Sequence, residues 1–120
     1  MYTIGEVAQL LGISTHTLRY YEKEQIIIPV RDANGDRRYD DSHLKWLQFV
    51  IKLKETQMPI AIIKKYASLA LEGEHTTQER LHLLEEHKHS IKKQISTLQA
   101  AHEMLEHKIS TYKDFISKRN

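Results

Sequence analysis

The chain has 120 residues, 40% hydrophobic and 28% charged, which fits one small domain, with or without an extended element, and excludes a large multi-domain enzyme. It has no cysteine, so disulfides, zinc–thiolate sites, a cysteine nucleophile and thiol redox sensing are excluded together. The 18 Lys and Arg against 16 Asp and Glu leave a formal charge of +2, so a case for a polyanionic partner must come from where the basic groups sit.

The four glycines and two prolines are too few for the many tight turns of a sandwich or barrel, and a mainly helical chain is expected. No apolar run reaches the roughly 18 to 20 residues of a membrane span, and the first ten residues lack the basic start of a signal peptide. A soluble, cytoplasmic protein is expected. Thr3-Ile4-Gly5-Glu6 has the form of a capping box, and Ile4, Val7, Ala8 and Leu11 follow on one apolar face before Gly12 stops the helix. Ser14 can cap a second helix, Thr15 to Lys23, on which Leu18 and Tyr21 continue the apolar stripe. Two short helices joined by a Gly-Ile-Ser turn form the helix-turn-helix pattern. On the second helix His16, Arg19, Tyr20 and Lys23 share the opposite face, which offers only hydrogen-bond donors or reads as a solvated outer surface.

Ile26 to Pro29 is a short β-branched run, and Asn34-Gly35 is a strong hairpin signal before Arg37-Arg38-Tyr39, so a small wing is expected. Its return strand brings two guanidinium groups and a phenol beside the donor-rich helix, a mixture suited to phosphates flanking a groove. Two plainer readings stand beside this one. Tyr39 can pack in the core under the wing, and Arg37 and Arg38 can form surface ion pairs with Asp32 and Asp36.

Asp41 or Ser42 can cap a third helix through about Thr56, with Leu44, Leu47 and Ile51 on one stripe and Trp46, Val50 and Leu53 on the next. Pro59 can open a fourth, Ile60 to Leu71, apolar through Ile62, Ile63, Tyr66, Ala67 and Leu69 and relieved by Lys64-Lys65. Gly73 lies in the break that follows, so residues 1–71 read as a head and 72–76 as a linker. Thr76-Thr77-Gln78-Glu79 has capping-box form and opens one long helix through Asn120, with a coiled coil over 77–118. Leu84, Lys88, Ile91, Ile95, Leu98, His102, Leu105, Ile109, Tyr112 and Ile116 lie alternately four and three apart, a heptad seam with register-setting polar positions at Lys88 and His102. A rod of about 60 Å, at ~1.5 Å per residue, cannot bury that seam against a small head and needs a partner chain.

Tyr2-Thr3-Ile4-Gly5-Glu6-Val7-Ala8, Leu18-Arg19-Tyr20-Tyr21-Glu22, Arg38-Tyr39 and Met58-Pro59-Ile60 resemble the mercury-resistance-regulator (MerR) family of bacterial transcription regulators along the whole chain. Trp46-Leu47-Gln48-Phe49 leading into Met58-Pro59 is similar to the small branch without a separate ligand-binding domain, among its aldehyde and stress regulators. The resemblance implies a mainly α fold with a winged helix-turn-helix head and an antiparallel dimeric coiled coil. It implies a homodimer on double-stranded promoter DNA, bending and untwisting an over-long spacer for RNA polymerase. Arg19, Tyr20 and Tyr21 and the wing's Arg37, Arg38 and Tyr39 would contact the DNA, with Thr15, His16 and Thr17 at the helix N-terminus reaching base edges or phosphates. Leu84, Ile91, Ile95, Leu98, His102, Leu105, Ile109, Tyr112 and Ile116 would form the dimer interface. The sequence departs from the family in two places. It has Lys52 and no cysteine where thiol- or metal-sensing members use cysteines, and Gln57 where the branch usually places Gly.

Other functions read less well. No glycine lies in a phosphate-binding loop, and His102-Glu103-Met104-Leu105-Glu106 falls short of a zinc-hydrolase motif, so neither an enzyme nor a cofactor is expected. A metal-responsive regulator would have to use His82, His87, His89, His102 and His107, but no two are four apart, and their Glu neighbours at that spacing make ordinary helix-surface pairs. No metal site is expected. A coiled-coil protein-interaction module is the remaining alternative.

Overall fold

The computed structural model describes residues 1–119, so Asn120, expected to end the last helix, lies outside the described residues. The elements run α1 (Ile4–Leu11), α2 (Thr15–Lys23), β1 (Val30–Arg31), β2 (Arg37–Arg38), α3 (Asp41–Glu55), α4 (Ile60–Glu72) and α5 (Thr77–Arg119), with a 3-10 turn at Glu74–Thr76 before α5. They pack as two units, one over Met1–Leu83 and the other from Leu84 onward.

Helix starts are set by side-chain caps. Thr3 Oγ1 accepts from the Glu6 amide at 3.1 Å while Glu6 Oε1 accepts from the Thr3 amide at 3.0 Å, completing the expected capping box. Ser14 Oγ accepts from the Thr17 amide at 3.0 Å. The cap of α3 is Asp40, one residue earlier than expected. Asp40 is extended and its Oδ1 accepts from the His43 amide at 3.0 Å, while His43 Nδ1 accepts from the Asp40 amide at 3.0 Å. Thr76 corrects another expectation, because its hydroxyl faces backward. It donates to the carbonyls of Leu69 at 2.7 Å and Gly73 at 2.8 Å, sealing the end of α4 instead of capping α5.

Three helices end alike. After α1, α2 and α3 the chain passes through a left-handed residue at Gly12 (φ 68°), Gln25 (φ 60°) and Gln57 (φ 72°). The next amide then bonds back over the last turn: Ile13 to Ala8 at 3.1 Å, Ile26 to Tyr21 at 2.9 Å and Met58 to Leu53 at 2.9 Å. This is the Schellman pattern, and it drops Ile26 and Met58 into the core directly behind each helix.

The core of the first unit joins Val7 and Ala8 of α1, Leu18 and Tyr21 of α2, Leu47, Val50 and Leu53 of α3, and Ile63 of α4. Truncating a fully buried member such as Leu18 or Leu47 to Ala should cost about 2–5 kcal/mol. Ile26 to Pro29 forms no strand. Ile26 and Ile27 are buried, and their segment is pinned by Trp46 Nε1 donating to the Ile26 carbonyl at 2.7 Å and His43 Nε2 bonding to the Ile28 carbonyl at 2.9 Å. Because His43 Nδ1 already accepts, Nε2 is the ring's donor.

The hairpin pairs Val30 with Arg38 and Arg31 with Arg37 across a loop in which Asp32 Oδ1 accepts from the amides of Asn34 at 2.9 Å and Asp36 at 3.0 Å. Gly35 supplies the positive φ of 80° that turns the chain. Reciprocal backbone bonds of 2.7 and 2.9 Å between Tyr2 and Tyr39 then tie the end of the wing to the N-terminus.

In the second unit α5 leaves most of its seam in solvent. Ile95, Leu98, Leu105, Ile109, Tyr112 and Ile116 are 51–69% exposed. Met104 and Phe115, each one residue before a seam position, widen the apolar face on one side. No helix among the described residues is long and apolar enough to cross a membrane.

Candidate nucleic-acid interface

The turn between α1 and α2 fixes which face of α2 meets solvent. Leu18 and Tyr21 point into the core, so His16, Arg19, Tyr20 and Lys23 are exposed together, with Thr15 and Thr17 half-buried at the helix start. Thr17 Oγ1 lies 2.9 Å from Ser14 Oγ, so its hydroxyl is already engaged by the cap. The donor row expected from spacing is therefore present on one surface.

The wing adds to it. Arg19 of α2 and Arg31, Arg37 and Arg38 of the hairpin line one cleft of about 330 Å³, floored by Thr3 and Ile4 at the start of α1. Four guanidinium groups converge there, against the nearby carboxylates of Glu22, Asp32 and Asp36. Glu22 accepts from Arg31 Nη2 at 2.5 Å through Oε1 and from Arg37 Nε through Oε2, and Asp32 Oδ2 lies 3.1 Å from Arg38 Nη2. The Glu22 bond raises the Arg37 pKa above its ordinary value. Each guanidinium of the wing has more donors than its carboxylate occupies, and the planar fork is suited to phosphate oxygens as well.

Seven of the nine residues expected at the interface lie on these surfaces. The other two do not. Tyr21 is 5% exposed and Tyr39 is fully buried, and burial raises both phenol pKa values. Tyr39 packs under the wing edge-on to His43, ring centres 5.8 Å apart, and its hydroxyl has no hydrogen-bond partner. Both rings hold the surface up from beneath, which corrects the expectation that they lie on it. Arg31 and Glu22 were missed as site residues. Arg31 could have been found from its place opposite Arg37 across the hairpin, whereas the Glu22 bridge depends on the packing of the wing against α2.

Among the described residues no group of three or more His, Asp or Glu side chains is arranged to hold a metal ion. His102 Nδ1 lies 2.8 Å from Glu106 Oε1, an ordinary pair four residues apart on a helix.

Comparison with known proteins agrees with this geometry. Residues 2–69 match the MerR HTH family regulatory proteins and residues 44–108 match the family described as MerR, DNA binding. An uncharacterized HTH-type transcriptional regulator of Haemophilus influenzae is 39% identical over 112 residues, covering 92% of this chain and 83% of that protein. The regulator ZntR of Escherichia coli is 32% identical, over 88% of this chain and 77% of its own. Among solved structures, HiNmlR, a MerR family regulator lacking the sensor domain and bound to promoter DNA, is 38% identical with a TM-score of 0.88, covering 94% of this chain and 90% of that one. A MerR family regulator from Listeria monocytogenes has a TM-score of 0.89 at 30% identity over the whole of both chains. With a family match across more than half its length, the chain belongs to the MerR family of helix-turn-helix, DNA-binding transcription regulators, which are not enzymes.

Proposed function

We propose that the protein is a cytoplasmic homodimer that binds double-stranded promoter DNA in a sequence-specific manner, each head (residues 1–71) reading one half-site. The linker 72–76 joins it to a dimerisation helix over 77–118. The observation that carries this reading is the convergence of Arg19 on α2 with Arg31, Arg37 and Arg38 of the wing around one cleft. A helix with an exposed donor row enters a major groove, and a flanking arginine-bearing wing fits the adjacent phosphates. Thr15, His16, Thr17, Arg19 and Tyr20 are the contacts from α2, and Arg37 and Arg38 those from the wing, with Tyr21 and Tyr39 as the packing that positions them.

Two heads fixed by one coiled coil impose a spacing and an angle on their half-sites. A duplex whose half-sites do not match must bend and untwist, at a deformation cost of order 1–6 kcal/mol. On a promoter with an over-long spacer that distortion realigns the elements for RNA polymerase. The solved relative HiNmlR, bound to promoter DNA, supports the reading.

The test is selection of genomic fragments by the purified protein, followed by titration of the selected duplex at several salt concentrations. Affinity should fall steeply with salt, and Arg19→Ala should weaken binding roughly 10-fold or more while leaving the thermal midpoint nearly unchanged. Salt-independent binding, or an Arg19→Ala variant with unchanged affinity, would overturn the assignment.

A further inference from the structure

The first unit also holds an apolar cavity of about 240 Å³, which shares no lining residue with the arginine cleft. Ile26, Ile27 and Ile28 wall it on the side of the segment that leaves α2, and His43 and Trp46 wall it from α3. Ala67 and Ala70, three apart on α4, leave space that larger side chains would close.

The walls are fixed before anything enters. Trp46 donates to the Ile26 carbonyl, and its indole stacks on Tyr66 with ring centres 5.8 Å apart and planes 12° from parallel. His43 is held by the Asp40 amide, by the Ile28 carbonyl and by the ring of Tyr39. With their nitrogens already bonded to the backbone, both aromatic walls offer the cavity ring surface alone.

The lining also selects a chemistry. Among the described residues that line the cavity, none carries a carboxylate, ammonium or guanidinium group. A charged guest would give up its hydration there with no counter-charge. Polar groups stand at the exposed rim, where Gln25 brings a carboxamide and the Ser42 hydroxyl, donating to Asp40 Oδ1 at 2.6 Å, keeps lone pairs for an incoming donor. Ile28 and Leu71 at the mouth are 57% and 66% exposed, large apolar side chains that a guest would cover. Size narrows the choice further. Roughly 150 Å³ of apolar cavity admits benzene, and drug-sized ligands occupy roughly 300 Å³ or more, so this one suits one ring or two fused rings.

The position of the cavity gives its occupancy a consequence. Ile26 to Ile28 belong to the segment that joins α2 to β1, and His43 belongs to the capping box that follows β2. A guest against these residues touches the roots of both strands of the wing.

We infer that this cavity is an effector site for a small, uncharged, planar aromatic molecule bearing one hydrogen-bonding group, and that its occupancy alters DNA affinity through segment 26–28. The inference deepens the DNA-binding reading above, on which its regulatory consequence rests. Such an effector needs no thiol, as a cysteine-free chain requires.

The chain has a single tryptophan, so the indole N–H resonance of Trp46 reports on the cavity directly. Titrating the full chain with 2-naphthol, in the absence of DNA, should shift that resonance saturably. The carboxylate 2-naphthoate, similar in shape but charged, should bind roughly 10-fold more weakly or worse. Ala70 is exposed, so Ala70→Phe should keep the thermal midpoint and lose the shift, whereas Ala70→Ser, which leaves the space open, should retain it. A resonance indifferent to 2-naphthol, or one that responds equally in Ala70→Phe, would overturn the site. So would a resonance that moves on dilution of the protein and ignores the probe, because a second copy of the chain would then fill the cavity. Saturating 2-naphthol should in turn change affinity for the selected duplex roughly 5-fold or more, with no such change in Ala70→Phe. Saturable binding with unchanged DNA affinity would overturn the regulatory role and leave the site standing. Failure of the ligand-free protein to bind DNA would overturn the DNA-binding reading and the regulatory role with it, while the Trp46 resonance still decides the site.

Discussion

Glu22 on α2 accepts a hydrogen bond from Arg37 on β2, and its other oxygen holds Arg31, so one carboxylate fastens α2 to both strands of the wing. Its side chain is 19% exposed, partly shielded from the screening that makes surface ion pairs weak. The pair therefore positions the basic surface while subtracting one charge from it. These two effects have opposite signs for DNA.

Glu22→Gln separates them. Removing the negative charge should leave non-specific DNA affinity unchanged or raised, because that binding follows net phosphate neutralisation. Specific affinity should fall, since the wing loses its register against α2, and the ratio of specific to non-specific binding should drop roughly 10-fold. Competition between the selected duplex and random-sequence DNA measures the ratio. An unchanged ratio would show that the wing is held by the Tyr2–Tyr39 pairing alone.

A second prediction concerns Gln57. Its φ of 72° lies in the left-handed region, where a non-glycine residue is disfavoured by roughly 1–2 kcal/mol. Gly at that position loses more entropy on folding, which offsets about 0.5–1 kcal/mol of the gain. Gln57→Gly should stabilise the head by about 0.5–1 kcal/mol and raise its melting temperature by a few degrees, with DNA affinity unchanged. Thermal denaturation followed by circular dichroism decides it. A lower midpoint would mean that the Gln side chain contributes more than the backbone strain costs.

That helix end shows what the sequence discloses and what it hides. Starts were legible at Thr3 and Ser14, because capping needs a particular side chain at a particular spacing. Gly12 was legible as a stop for the same reason. Gln25 and Gln57 carry no such chemical mark; they are left-handed because Ile26 and Met58 must turn into the core, a requirement set by packing. The basic residues Arg19, Arg37 and Arg38 could be read from spacing and hairpin signals. The burial of Tyr39 could not, since a phenol suits an interface and a core equally, and only the backbone pairing with Tyr2 decides between them.

Acid should loosen the helix caps that rest on carboxylates. Hydrogen bonds from Ser42 and from the His43 amide hold Asp40 below its ordinary value of 3.8, and bonds from Thr3 hold Glu6 below 4.5. A lowered carboxylate pKa means that the unfolded state binds more protons in this range. The stabilisation is thus present above the ordinary values and is lost as pH falls through the folded ones. Asp40→Asn retains an acceptor for the His43 amide but cannot ionise. Its stability should therefore decline less steeply than that of the unmodified protein between about pH 5 and pH 2.5. Urea midpoints measured across that range test this, and parallel slopes would show that the Asp40 cap has no part in acid sensitivity.

The last prediction concerns signalling chemistry. With no sulfhydryl group in the sequence, neither disulfide formation nor thiol addition can occur on this chain, so DNA affinity should be indifferent to diamide and to thiol-reactive aldehydes. Lys52 is the nucleophile offered by α3, the helix in which the family resemblance places cysteine for thiol-using members. Its side chain is 75% exposed, and Nζ lies 3.1 Å from Glu55 Oε2. A lysine in a solvated ion pair lacks the apolar pocket or adjacent cation that turns such a side chain into a reactive amine. Lys52→Arg should accordingly leave DNA affinity and its dependence on aldehydes unchanged. Binding of the purified protein to its selected duplex, measured with and without each reagent, provides the check. A rapid, reversible loss of affinity with diamide would refute thiol-independent behaviour, and an aldehyde effect abolished by Lys52→Arg would identify this lysine as the reactive group.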